Sequence, residues 1–179
     1  ALVAIPANQG PIRAMAESEQ EMANQIVGAV GSSKSVGDLF AGIGAFSFPI
    51  ASRAKVSAYD SDARAIDALA AAVKKASGIK PVVARVRDLF REPLSALELN
   101  DFEAVVFDPP RAGSEAQARM IAKSKVKTVV AVSCNPATLA RDARILVDGG
   151  YILEDVTPID QFQYSAHIEA VAVFRRLKR

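Results

Sequence analysis

The hydrophobic period of this chain switches repeatedly, and that alternation restricts the fold more than any single residue does. Short apolar runs of strand length occur at Ser35–Leu39, Val56–Tyr59, Pro81–Val86, Ala104–Phe107, Thr128–Ser133, Tyr151–Pro158 and Ile168–Phe174. Between most of them, at Ala45–Arg53, Asp62–Ser77, Ser114–Lys123 and Pro136–Asp148, apolar residues return every three or four positions. A further stretch of that kind, Ala14–Val30, comes first, with Met15, Met22, Ile26, Val27 and Val30 on its stripe and Gly31-Ser32-Ser33 at its end. Strand and helix in alternation predict the α/β class: a mostly parallel, seven-stranded sheet with helices on both faces. Val129–Val132 is apolar without alternation, which suits a central parallel strand. The last two runs are separated by a loop at Ile159–His167 with no helix, so they are expected to pair antiparallel. Residues 1–13 carry Pro6, Gly10 and Pro11 and read as an irregular lead-in.

At 179 residues, half of them hydrophobic, the chain suits a single domain over 1–179, expected as a monomer. No run reaches the ~20 apolar residues that span a bilayer, and the start lacks the pattern of a signal peptide, so no membrane association is expected. The single cysteine rules out an internal disulfide and a four-thiolate metal site. It fits a reducing, cytoplasmic setting. A net charge of +2 and the basic tail Arg175-Arg176-Leu177-Lys178-Arg179 are compatible with nucleic acid but are explained as simply by a solvated terminus.

Ligands of open α/β sheets sit beyond the carboxyl ends of the strands, so the strand ends carry the functional reading. After the first strand comes "DLFAGIGAFS", with Gly42 and Gly44 permitting a tight turn ahead of a helix. Asp38, just before the glycines, would repel a pyrophosphate and suits a cationic ligand such as a sulfonium methyl donor. A dinucleotide loop and a plain turn remain alternatives. Asp60 ends the second strand, where a carboxylate can accept ribose hydroxyls; Asp62 beside it is a ready N-cap. Asp88 follows the third strand, placed for an adenine amino group or simply an exposed loop acid. Asp108-Pro109-Pro110-Arg111-Ala112-Gly113 ends the fourth, stiffened by two prolines. Cys134 ends the fifth, one residue before Asn135-Pro136 opens a helix. A thiol there is either inert packing or a nucleophile whose thiolate the helix N-terminus favours. His167, the one histidine, lies two residues from Glu169, so in an extended segment both point to one face. With no second histidine and no nearby cysteine, no metal is expected.

Together these stretches resemble the S-adenosylmethionine-dependent RNA 5-methyluridine (uracil-5) methyltransferases, which act on tRNA and rRNA. "DLFAGIGAFSFPIA", "DPPRAG", "SCNPATLARD" and "HIEAV" occur in that family's order and spacing, from about Ser35 onward. The resemblance implies a Rossmann-like class I methyltransferase sheet with an antiparallel last strand, S-adenosylmethionine as cofactor and an RNA partner. It also implies that Cys134 is the nucleophile and Glu169 the base. Asp38, Phe40, Gly42, Gly44, Asp60 and Asp108 match donor-site positions, with Asp88 expected beside them. Arg111 and His167 fall on the substrate side. The RNA-binding barrel that precedes this domain in many members has no counterpart expected here. Two other readings stay open: a cytosine-5 methyltransferase, and a domain that binds RNA or donor without turnover.

Overall fold

The computed structural model describes residues 10–160 and 168–177, and the side chains of 19–159 and 169–177. Helix α1 (Gly10–Val30) leads into β1 (Ser35–Leu39), α2 (Ser47–Ala51), β2 (Lys55–Asp60), α3 (Ala63–Lys75) and β3 (Val82–Val86). Then follow α4 (Ala96–Leu99), β4 (Ala104–Phe107), α5 (Glu115–Lys123), β5 (Thr128–Ser133), α6 (Pro136–Asp148), β6 (Tyr151–Asp160) and β7 (Ile168–Arg176). The strands form one sheet in the order β3-β2-β1-β4-β5-β7-β6. β1 to β5 run parallel, while β7 pairs antiparallel with both β5 and β6. The final strand is therefore an inserted one, and β6 takes the edge.

Period-two alternation divides the core into two layers. Val36, Val56, Ala58, Val106, Val130 and Val132 face Met22, Ile26 and Val30 of α1, Ile50 of α2 and Leu69 of α3. Leu39, Tyr59, Val105, Phe107, Val129 and Ala131 face Leu99 of α4, Ile121 of α5 and Leu146 of α6. Three helices on each side meet the expectation of a sheet covered on both faces. β4 and β5 are buried at every position, which is why they read as unbroken apolar runs.

Most element ends fall within one or two residues of the sequence reading, and three helices depart further from it. α1 begins at Gly10, ahead of the expected Ala14, because Pro11 lies in the first turn, where no backbone donor is needed. α2 is shorter than Ala45–Arg53, since residues 40–46 are spent on turns. The short α4 had no periodic signal; Ser95 and Glu98 form a capping box that starts it. None of the described helices is long and apolar enough to cross a membrane.

Candidate active site

The carboxyl ends of β1, β2, β4 and β5 and the amino end of β7 converge on one edge of the sheet. Asp38, Asp60, Asp108, Cys134 and Glu169 each lie two positions from a residue of the α1–α3 core layer: Val36, Ala58, Val106, Val132 and Val171 respectively. Period two thus assigns five chemically active residues to a single face.

Asp38 is the most constrained of them. It is 1% exposed, and its Oδ2 accepts a hydrogen bond of 2.5 Å from Ser47 Oγ at the start of α2. Its Oδ1 is buried and has no hydrogen-bond partner among the described residues. Burial pushes the carboxyl up to about 7, against the Ser47 bond and with help from the Asp60 charge. A buried acceptor that lacks a donor costs about 1–3 kcal/mol, so this oxygen stands ready for a cationic or N–H ligand group. Ser47 occupies the place of a third glycine in a dinucleotide loop, and its hydroxyl is committed to Asp38.

The turn after β1 holds three residues at positive φ: Phe40 at 63°, Gly42 at 53° and Gly44 at 91°. Phe40 is the one non-glycine residue among those described in this region of backbone space, a placement that costs about 1–3 kcal/mol and clusters at ligand sites. Its ring packs on Phe90, with centroids 5.3 Å apart and planes tilted by 55°. Gly44 has no room for a side chain: a Cβ would lie 2.5 Å from Leu69 Cδ1. Asp60 braces the turn, its Oδ2 accepting from Gly42 N and its Oδ1 from Asp62 N, both at 2.9 Å. Asp62 caps α3, accepting from Arg64 N and Ala65 N. Asp60 is thus released from helix capping, and each of its oxygens keeps a lone pair for a ligand hydroxyl.

A cavity of about 190 Å³ opens beside this turn, lined by Glu19, Met22, Phe40, Ala41, Ala45, Phe46, Asp108, Val132 and Glu169. Three of these are acids and none is basic. Burial pushes Asp108 up to about 7, and the charges of Glu169 and Asp38 push the same way. Asp60, Asp38, Asp108 and Glu169 therefore form a row in which each carboxylate feels the next. A larger recess of about 700 Å³ lies at the opposite, amino-terminal edge of the sheet, beside Lys123, Gly149 and Arg176. Arg176 there already donates to the carbonyls of Ala122, Val126 and Gly149, and that edge is not where open α/β sheets bind ligands. The smaller, acidic cavity is the candidate site.

Cys134 is half-buried, between the end of β5 and Asn135, the N-cap of α6. The last ladder pair of β5 and β7 is Ser133 with Ala170. One step further along that antiparallel register sets Cys134 opposite Glu169. Among the other expected site residues, Asp88 turns its Oδ1 to the backbone N–H groups of Phe90 and Arg91, so it shapes its own loop. Arg111 is exposed on the loop after β4, and its carbonyl accepts from Asn135 and Thr138. His167 lies outside the described residues. Of the expected site residues, Phe40, Asp108 and Glu169 line the cavity; Asp38, Gly42, Gly44, Asp60, Asp88, Arg111 and Cys134 are not in its wall. The sequence reading missed Glu19 and Met22 on α1, Ser47 and Phe90. Glu19 and Met22 carried no local signal beyond a helical stripe, whereas Ser47 could have been found as the hydroxyl nine residues after a buried acid.

No three of His, Cys, Asp and Glu among the described residues are grouped as a metal site. The family model described as tRNA (Uracil-5-)-methyltransferase matches residues 11–177. An uncharacterized RNA methyltransferase of Brucella melitensis biotype 1 is 53% identical over 165 residues, which is 92% of this chain and 40% of that protein. The 23S rRNA (uracil(1939)-C(5))-methyltransferase of Chromohalobacter salexigens is 38% identical over 140 residues, 78% of this chain and 29% of that protein. Among solved structures, the tRNA (uracil-54, C5)-methyltransferase of Pyrococcus abyssi, in complex with S-adenosyl-L-homocysteine, aligns with a TM-score of 0.75. It shares 28% identity over 87% of this chain and 38% of that one. The chain thus spans about 40% of the length of the first of these relatives.

Proposed function

This chain belongs to the tRNA (uracil-5-)-methyltransferase family, and from that premise we propose that it is the catalytic domain of an RNA methyltransferase acting on carbon 5 of a uridine in tRNA or rRNA. The methyl donor would be S-adenosylmethionine, which brings a transferable methyl on a positively charged sulfur. The residues present fit it. Among the described residues, Asp38 offers a buried oxygen with no hydrogen-bond partner, Asp60 offers lone pairs at the end of β2, and the cavity wall carries three acids and no basic side chain. Phe40, Gly42 and Gly44 shape the turn that would cradle it, with Asp88 and Asp108 at its flanks.

The chain's own part of the chemistry follows from a pyrimidine's weakness as a nucleophile. Cys134, as thiolate, adds to carbon 6 and leaves an enolate whose charge lies at carbon 5. Carbon 5 takes the methyl, and the donor sulfur keeps the electron pair of the broken bond. Glu169 accepts the proton left on carbon 5, the double bond re-forms and the thiolate departs. Arg111 and His167 are proposed to hold the base, which must leave its stack to enter. What supports this reading is the register of β5 with β7: its last pair is Ser133 with Ala170, and its continuation would put Cys134 opposite Glu169, which lines the acidic cavity.

The test uses RNA tritiated at carbon 5 of uracil. Wild-type protein should release tritium with S-adenosylmethionine, Cys134→Ala should release none, and Glu169→Gln should accumulate a covalent RNA adduct. Release that persists in Cys134→Ala sinks the proposal. Methyl transfer to cytosine instead of uracil would favour the cytosine-5 reading.

A further inference from the structure

One face of α6 is not used by the chemistry above. Asn135, Thr138, Arg141 and Asp142 follow one another at helical spacing, and all four turn toward the loop after β4. Asn135 Nδ2 and Thr138 Oγ1 both donate to the carbonyl of Arg111, at 3.1 and 3.2 Å. Arg141 Nη2 donates to the carbonyl of Ala112 at 3.1 Å. Asp142 is 2% exposed; its Oδ2 accepts from Ser114 N at 2.8 Å and its Oδ1 from Arg141 Nε at 2.9 Å. Gly113 lies at φ 68°, and a Cβ there would sit 2.6 Å from Arg141 Nη2 and 2.7 Å from Asp142 Oδ2. Four consecutive residues of the loop are thus gripped or closely fitted. The gripping helix begins next to Cys134, and the gripped loop begins at Asp108.

We infer that Arg141 and Asp142 are positioning residues that lock the Asp108–Ser114 loop to the Cys134 end of α6, so that the acidic wall and the thiol move as one body. The inference rests on the proposed reaction for its catalytic consequence. A buried carboxylate aimed at a backbone amide of another loop fixes that loop in place, because without it the Ser114 N–H and the Arg141 guanidinium would lose their acceptor. A covalent addition has a use for it, since misplacing a reacting group by about 1 Å costs about a hundredfold in rate. Donor binding is proposed to rest chiefly on β1, β2 and their turn, and Asp108, the one donor-site acid in the locked loop, is held by its backbone N–H to Leu39 of β1, so donor affinity is largely insulated from the lock.

Two variants test it. Arg141→Lys keeps the charge and the Asp142 pairing but loses the fork that also reaches Ala112. Asp142→Asn keeps an oxygen for Ser114 N but loses the charge that holds Arg141. Arg144→Gln, on the exposed side of the same helix, is the control. In single-turnover methyl transfer both site variants should be slower by about tenfold or more, with the dissociation constant for S-adenosylmethionine within about twofold of wild type. Hydrogen exchange at the Ser114 amide should rise by about tenfold in Asp142→Asn. A transfer rate at the wild-type level, or one that falls only in step with donor affinity, overturns the inference. If wild-type protein transfers no methyl to uridine, it is the proposed reaction that fails. The lock is then judged without RNA, by Ser114 exchange and by the rate at which iodoacetamide alkylates Cys134. Changes in both sustain it, and wild-type values in both variants overturn it.

Discussion

Burial sets the charge state of Asp38 and Asp108. Both carboxyls are raised to about 7 by desolvation, and the charges of Asp60, Asp38 and Glu169 along the row add to it. A cationic donor favours the ionised form, so its binding must expel any proton these acids hold. Below pH 7 the affinity for S-adenosylmethionine should therefore rise with pH, by at most about tenfold per unit for each acid that titrates, and level off above. Calorimetric titration between pH 5.5 and 8 reads this directly. Asp38→Asn, which removes one titrating group, should bind donor more weakly at pH 8 and follow a shallower pH profile. A profile unchanged by that substitution would show that Asp38 does not meet the donor's charge. The same residues show where a sequence is readable one position at a time. Asp38 stood out as an acid just ahead of the glycines, and Asp108 as an acid at a strand end stiffened by two prolines. Nothing local announced that, with Ser47 on one oxygen, Asp38 would keep the other without a partner among the described residues.

The turn from β1 to α2 and the helix α3 behave as one element. Gly44 sits against Leu69, which is fully buried, and its φ of 91° disfavours any side chain. Gly44→Ala should cost about 1–3 kcal/mol in urea unfolding, because a closed core yields little to an added methyl and the backbone is strained besides. Gly42 is different: a Cβ there meets nothing within 4 Å, so only its φ of 53° resists substitution. Gly42→Ala should therefore destabilise by about 1 kcal/mol, less than Gly44→Ala. Equal losses at the two positions would contradict this account. The glycine spacing in the sequence pointed to a turn but not to its two different reasons. The tightness at Gly44 comes from Leu69 on α3, and the openness at Gly42 comes from there being no atom of the described residues within 4 Å of its Cβ position.

Across the whole molecule, the raised acids make folding stability depend on pH. In the window from about 4 to about 7 the folded protein holds protons on Asp38 and Asp108 that the unfolded chain releases, so their contribution is fully present below pH 4 and is lost as pH rises through 7. The slope is about 1.4 kcal/mol per pH unit for each acid that titrates alone, less where the two share a proton. Glu98 works in the opposite direction, held at about 2 by Arg87 and the Ser95 cap, and its contribution disappears as pH falls toward 2. Urea midpoints of the ligand-free protein should thus fall from pH 5 to pH 7.5, and Asp38→Asn with Asp108→Asn together should flatten that fall. A midpoint that rises over this window would refute the burial of these groups. The alternation of periods was enough to determine the α/β class, the seven strands, helices on both faces and the antiparallel ending, because side-chain periodicity and strand length are local properties that burial on one or two faces imposes directly. It also marked most strand ends that converge, since the carboxyl edge of a parallel sheet is common to all its strands. Only the tertiary structure decided that β7 slides between β5 and β6, bringing the start of β7 beside the end of β5 from a distant part of the chain, and that α6 grips the loop after β4. Those outcomes depend on which distant surfaces bury each other, and no window of sequence contains both partners.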